Sequence, residues 1–298
     1  MKSFNIKRST KLLATFFASV LAMSSLISPA LANTANVPPK GKILLVGSSV
    51  NQMYFKNGQP HATGYYLGEL ATPAQAFINA GYEVVVATPD GNTPAIDKNS
   101  ITESLFDNDK DKLQQAMSFV LTHPSMQKPT KLSEAVRNLS QYDALYVPGG
   151  HAPMVDLMQD KDLGRALRHF HETGKTTALL CHGPIALSAA VNNSIKFRQA
   201  MVNGDHATAQ RLARNWIYKG YNMTVYSTAE EKGVEQWLGN DIEFYMEDAL
   251  RNAGGKVSVG EKDKPYIVVD RELITGQNPF SDHLLAEAVL KRLQTQKR

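Results

Sequence analysis

The sequence predicts an α/β fold: a doubly wound, mostly parallel sheet sandwiched by helices, with small covering insertions. Two observations lead there. Short, near-continuously apolar runs rich in Val, Ile and Leu recur along the chain, the pattern of strands buried on both faces. Between them lie segments with apolar residues at helical spacing, so the strands are expected to run parallel with right-handed crossovers.

Lys42-Ile43-Leu44-Leu45-Val46-Gly47 reads as the first buried strand, ending in a Gly-Ser-Ser loop. Thr72-Pro73-Ala74-Gln75 fits a capping box with proline at the first helical position; that helix should run to Ala80 and close at Gly81. Tyr82–Ala87 follows as a second strand. A helix near 132–139 precedes the strand Ala144–Val147. Leu163, Ala166, Leu167 and Phe170 fall at i, i+3, i+4, i+7 of a helix that stops at Gly174. The strand Thr177–Leu180 leads into Cys181 and a helix of small residues. Tyr266–Val269 and Leu273–Thr275 flank Asp270-Arg271-Glu272 as in a hairpin, and Leu285, Ala288, Val289 and Leu293 line one face of a last helix. The whole reads as one flavodoxin-like sheet. Residues 92–128 and 192–220 lack clear periodicity and are expected to be irregular insertions that cover the site or form an interface.

Composition narrows the classes. With 298 residues, 43% hydrophobic and 20% charged, the chain is neither disordered, collagen-like nor a coiled coil. Residues 1–32 carry Lys2, Lys7, Arg8 and Lys11 and no acid, then an apolar run and Ala30-Leu31-Ala32; this predicts a secretory signal peptide cut after Ala32 and a mature protein outside the cytoplasm, in a periplasm. Removing four of the 32 basic residues leaves 28 against 28 acidic ones over a single domain at 33–298, so net charge argues for no nucleic-acid partner. No later run is long enough to span a membrane. One cysteine excludes an internal disulfide, and a lone thiol in an oxidising compartment needs a reason.

Ligands of open α/β sheets bind beyond the carboxyl ends of the strands. Cys181 ends a strand and opens Cys181-His182-Gly183-Pro184, so a following helix N-terminus should favour its thiolate. Val147-Pro148-Gly149-Gly150-His151 ends a neighbouring strand; its glycines allow close backbone approach, and the N–H groups of Gly150 and His182 are candidate oxyanion donors, with Gly149 beside them. Glu69, just before the expected cap, either shuttles a proton to the thiol or is a plain helix-end charge. His169 and His171 flank the apolar stripe of their helix on opposite sides and are expected to be solvated. Gln277-Asn278-Pro279 reads as a turn before the last helix. Tyr54, Tyr65 and Tyr66 either line the pocket or pack in their loop. No metal-ligand motif of the HExxH or calcium-loop kind is present.

These segments, with Tyr226-Ser227-Thr228-Ala229-Glu230-Glu231 and Thr275-Gly276-Gln277-Asn278-Pro279, resemble the ThiJ/PfpI superfamily of class I glutamine amidotransferase-like proteins, and most of all its heat-shock branch with glyoxalase III and stress chaperones. The resemblance places the nucleophile on Cys181, its histidine on His182, the buried acid on Glu69, and the acid orienting the histidine on Glu231, or on Glu230 if the alignment slips by one. Ala152 departs from the branch, which has glycine there. It implies a glutathione-independent enzyme turning methylglyoxal into lactate through a Cys181 hemithioacetal, with no metal or other cofactor and a small carbonyl compound as partner. The alternatives are a stress holdase binding unfolded clients, a cysteine amidase or peptidase, and a redox sensor; a homodimer is compatible with each. Glutaminase relatives carry His-x-Glu downstream, whereas here Thr208 and Leu285 stand two residues after His206 and His283. An α/β-hydrolase elbow wants glycine where Leu179 stands.

Overall fold

The computed structural model describes residues 38–296; the leader expected at 1–32 lies outside them. Seven strands form the main sheet: β1 (Lys42–Val46), β2 (Glu83–Thr88), β3 (Thr130–Lys131), β4 (Ala144–Val147), β5 (Thr176–Leu180), β6 (Ile267–Asp270) and β7 (Leu273–Gly276). Their order is β6-β7-β5-β4-β1-β2-β3, and every neighbouring pair is parallel except the β6-β7 hairpin. The chain winds outward from β1 to β2 and β3, then returns to the other side of β1 with β4 and β5. The crevice beyond the carboxyl ends of β1 and β4 is therefore the place where this topology opens for a ligand.

Strand alternation builds two cores, one on each face. Leu44, Val46, Leu145, Val147 and Leu179 point into one, and Ile43, Leu45, Ala144, Tyr146, Ala178 and Leu180 into the other. Each fully buried Leu or Val contributes ~1.5–3 kcal/mol. Helix α1 (Leu67–Asn79) covers the second face together with α2 (Lys110–Thr122). On the first face, α3 (Lys161–Glu172) buries the expected Leu163, Ala166, Leu167 and Phe170. Helices α4 (Ser194–Val202) and α5 (His206–Leu212) join it there, followed by α6 (Thr228–Leu238) and α7 (Met246–Ala253). The last helix, α8 (Asp282–Gln296), docks on the second face through Leu285, Val289 and Leu293 at successive i+4 steps.

Three local expectations are corrected. Helix α1 starts at Leu67, after the extended Tyr66, so Thr72-Pro73 lies inside it and Glu69 sits in its first turn rather than before the cap. Proline at 73 cannot supply the N–H that the Glu69 carbonyl would accept four residues back. The hydroxyl of Tyr146, on β4, donates to that carbonyl instead. The residues after Cys181 form a fully buried 3₁₀ segment, Gly183–Ala190, and not an α-helix. The insertions at 92–128 and 192–220 are substantially helical. In α2 only Ala116 and Val120 are buried, which leaves almost no apolar stripe to read; its start is fixed by Asp109, whose side chain accepts from the N–H groups of Asp111 and Lys112. Asn193 and Asp205 cap α4 and α5 in the same way.

Among the described residues no helix is long and apolar enough to cross a membrane.

Candidate active site

Four chain segments converge where β4 and β5 end, contributing Glu69, Gly149-Gly150-His151, Cys181-His182 and Glu231. Cys181 follows β5 with a φ of 60°, a left-handed conformation that costs a non-glycine residue ~1–3 kcal/mol. The surrounding hydrogen bonds hold it there: its N–H donates to the Gly276 carbonyl at 2.8 Å, and its own carbonyl accepts from the Tyr226 N–H at 2.8 Å. The bend aims the side chain at the next residue, and Sγ lies 3.1 Å from Nδ1 of His182.

The other face of that imidazole meets α6. Nε2 of His182 is 2.9 Å from Oε2 of Glu231, and Nε2 of His151 is 2.8 Å from Oε1 of the same carboxylate. The two imidazole centroids are 4.1 Å apart, and the Tyr226 ring stacks on His182 at 4.6 Å. Glu231 occupies the first turn of α6, where the helix dipole favours an anion. Its neighbour Glu230 points elsewhere. It completes a capping box with Ser227 and accepts from the side chains of Ser227, Gln277 and Asn278 and from the Asp263 N–H. Of the two adjacent acids, Glu231 therefore contacts the histidine and Glu230 locks the helix start to the Gln277-Asn278 turn.

Glu69 approaches the sulfur from α1. It is fully buried, its Oε2 accepts the Gly149 N–H at 2.8 Å, and it interacts with Cys181. The two glycines are needed for this approach. A Cβ on Gly149 would come within 2.5 Å of Glu69 Oε2 and 2.7 Å of Cys181 Cβ, and Gly150 adopts a φ of 82° with its backbone against the Gly64 carbonyl. Gly149 spends its N–H on Glu69 and so holds the acid in place rather than donating to an oxyanion. The Gly150 N–H faces the Cys181 sulfur.

Burial sets the protonation states. It pushes Glu69 up to about 8, against the opposing pull of Cys181 and the Gly149 N–H, so this carboxyl is protonated at neutral pH. Burial, then the proximity of Glu69, raises the Cys181 thiol, only partly countered by the Gly150 N–H. The resting sulfur is thus a thiol, unlike the expected free thiolate: it is buried beside the Glu69 carboxyl, and a short 3₁₀ segment offers less dipole than an α-helix. Burial and the nearby His151 hold His182 below its ordinary value. Burial opposes charge on His151 and on Glu231 too, but each prevails through the other: His151 is raised, and the two imidazoles keep Glu231 well below the carboxylate range. A neutral His182 donating Nε2–H to Glu231 leaves Nδ1 as an acceptor for the thiol proton.

The structure thus brings Cys181, His182, Glu69, Glu231, Gly149 and Gly150 together. His151 joins them as a second imidazole on Glu231; its side chain was not singled out in the sequence because its partner lies 80 residues away. The nitrogen and oxygen atoms of His151, His182 and Glu231 lie within 4.8 Å of one another, close enough to share one metal ion. Tyr66 and Tyr226 are half-buried beside the site, and burial pushes both hydroxyls up. Tyr65 is core and Tyr54 is exposed. His171, expected to be solvated, is bonded to the buried Glu272 at 2.8 Å, and Nε2 of His169 is buried, so neither is a free flank. A separate cleft of about 550 Å³, lined by Phe106, Lys112, Phe280 and Asp282, does not include Cys181.

Comparison with known proteins matches residues 61–225 to the family model described as ThiJ/PfpI family-like. The protein/nucleic acid deglycase HchA of Staphylococcus aureus is 24% identical over 267 residues, covering 85% of this chain and 80% of that protein. Among solved structures, the Rapid Encystment Protein 24 KDa of Francisella tularensis is 25% identical with a TM-score of 0.67, covering 85% of this chain and 99% of that one. Glyoxalase III from Candida albicans is 21% identical with a TM-score of 0.60, covering 84% and 96%; at that identity the likeness supports the fold.

Proposed function

The chain belongs to the ThiJ/PfpI-like family, and from that premise we propose that it is a cysteine-dependent enzyme of the glyoxalase or deglycase type, acting on small reactive 2-oxoaldehydes such as methylglyoxal. The observation that carries this reading is the placement of one thiol between two different proton carriers, neutral His182 at 3.1 Å and protonated Glu69. An acyl hydrolase needs a nucleophile and one base. Converting an α-oxoaldehyde to a hydroxy acid also needs a proton moved between adjacent carbons, for which a second acid–base group is useful. The names of the S. aureus and C. albicans relatives agree with this class.

The thiol loses its proton to Nδ1 of His182 as sulfur adds to the aldehyde carbon, giving a hemithioacetal whose oxygen is met by the Gly150 and His182 N–H groups. The positive charge on His182 is balanced by Glu231, itself paired to His151. Removal of the proton from the aldehyde carbon and delivery of one to the adjacent carbon turn the hemithioacetal into a lactoyl thioester. His182 first returns the thiol's proton to the hemithioacetal oxygen and is then free to take the proton from the aldehyde carbon, while protonated Glu69 is the group placed to give one to the adjacent carbon. Water then cleaves the thioester, releasing lactate and restoring the thiol. Cys181 and His182 are almost wholly buried, which favours a substrate of a few heavy atoms. We also propose that residues 1–32 are removed on secretion, a reading that N-terminal sequencing of the exported protein tests.

The decisive experiment incubates residues 33–298 with methylglyoxal without glutathione and measures lactate, with intact mass to detect the adduct. Cys181→Ala is expected to abolish both. Undiminished turnover by that variant, or ammonia release from amides without lactate from methylglyoxal, overturns the assignment.

A further inference from the structure

We propose that His151, His182 and Glu231 form a reversible zinc site that switches the candidate active site off. Two imidazole nitrogens converge on the two oxygens of a single carboxylate, at 2.8 and 2.9 Å. All three groups are buried, and their ligand atoms fall within 4.8 Å of one another. Two imidazoles and one carboxylate are a donor set that zinc takes readily, with bonds of about 2.0–2.2 Å. Around a tetrahedral ion with such bonds, neighbouring ligand atoms stand roughly 3.3 Å apart. The two hydrogen-bonded nitrogen–oxygen separations therefore open by about half an ångström, while ligand atoms as far as 4.8 Å apart close to that spacing through small rotations of the side chains.

The chemistry of binding follows from which nitrogen is used. Zinc takes the lone pair of Nε2 on each ring, so the proton between His151 and Glu231 is released and the single proton of neutral His182 passes from Nε2 to Nδ1. On His182 the remaining ring proton must then sit on Nδ1, the nitrogen that faces sulfur at 3.1 Å. Nδ1 becomes a fixed donor and can no longer accept the thiol proton. No electron is transferred and no bond to sulfur is needed. The ion acts by locking the wrong tautomer of the one base beside the nucleophile. His151 thereby has a consequence that a lone Cys-His-Glu triad lacks: it supplies the second nitrogen without which the carboxylate and His182 alone make a poor site.

The test uses zinc itself and reads binding as well as turnover. Wild-type protein and Cys181→Ser are titrated with zinc against a chromophoric chelator. Both are expected to take up one equivalent, and His151→Gln and Glu231→Gln, checked for native melting, are expected to lose it. X-ray absorption of the wild-type zinc complex should show nitrogen and oxygen neighbours and no sulfur, a result that does not depend on any variant folding. Turnover of wild type should fall on adding one equivalent and return with EDTA, while residual turnover of His151→Gln should be insensitive. No zinc uptake, uptake lost in Cys181→Ser, uptake kept in folded His151→Gln, or a sulfur neighbour in the absorption spectrum each overturns the proposal. The binding readouts stand whether or not the protein consumes methylglyoxal.

Discussion

Glu230 and Glu231 are consecutive, equally buried and both in the first turn of one helix, yet they live in different chemical worlds. Glu230 is held by donors that do not titrate: a hydroxyl, two carboxamides and backbone N–H groups. Glu231 is held by two imidazoles. A buried carboxylate surrounded by fixed donors is a rivet, because none of those partners gives or takes a proton in a reaction. One surrounded by imidazoles shares its charge with groups that gain and lose protons near neutrality, and so belongs to a reaction. What surrounds an acid, more than its burial, separates structure from chemistry here.

Four substitutions break or sharpen that contrast. Glu231→Gln should have the largest effect, a fall in kcat of about 10²–10⁴-fold with little loss of fold, since His182 loses the partner that fixes its tautomer. Steady-state kinetics alongside thermal melting separate the two. Glu69→Gln tests a third buried acid, whose value of about 8 lies above the ordinary 4.5. Its protonated form favours the fold, so its contribution to stability is whole below pH 4.5 and is lost as the pH climbs toward 8. The neutral amide escapes that loss. Urea unfolding should show Glu69→Gln more stable than wild type at pH 8.5 by up to ~4 kcal/mol, with the gain shrinking toward pH 4.5, while turnover drops. Glu230→Ala should reverse the pattern of Glu231→Gln. It strands several buried donors at ~1–3 kcal/mol apiece, so the unfolding midpoint falls steeply while kcat per folded molecule stays within a few-fold. Tyr146→Phe, the mildest, removes the hydroxyl from the Glu69 carbonyl and should lower stability by about 1–2 kcal/mol, read from the same urea curves.

Much of this was legible in the residues. Runs such as Ile43–Val46 and Ala178–Leu180 announced buried parallel strands because β-branched and apolar residues without polar alternation fit little else, and the expected family is the one the comparison finds. Cys181 stands out by residue type and position, whereas Glu69 reads equally well as a helix-end charge and the imidazole of His182 is named only through the resemblance. The acid bonded to His182 was named only through a resemblance, because the link from residue 182 to residue 231 is made in space. His151 escaped for the same reason. The start of α1 was misplaced because Thr72-Pro73 mimics a cap, and only a hydroxyl from another strand makes proline tolerable there. The insertions hid their helices because a helix that buries two residues, as α2 does, presents no stripe.

The backbone of Cys181 is tied at both its N–H and its carbonyl to neighbouring segments. The reactive atom is therefore carried by the main chain of the scaffold, with the Tyr226 N–H among its ties, while the Tyr66 side chain, half-buried beside it, lies outside those ties. Such an architecture separates what must stay still from what is free to drift. Descendants of this fold can trade one rim residue for another, and with it one substrate for another, while inheriting the attacking group already aimed.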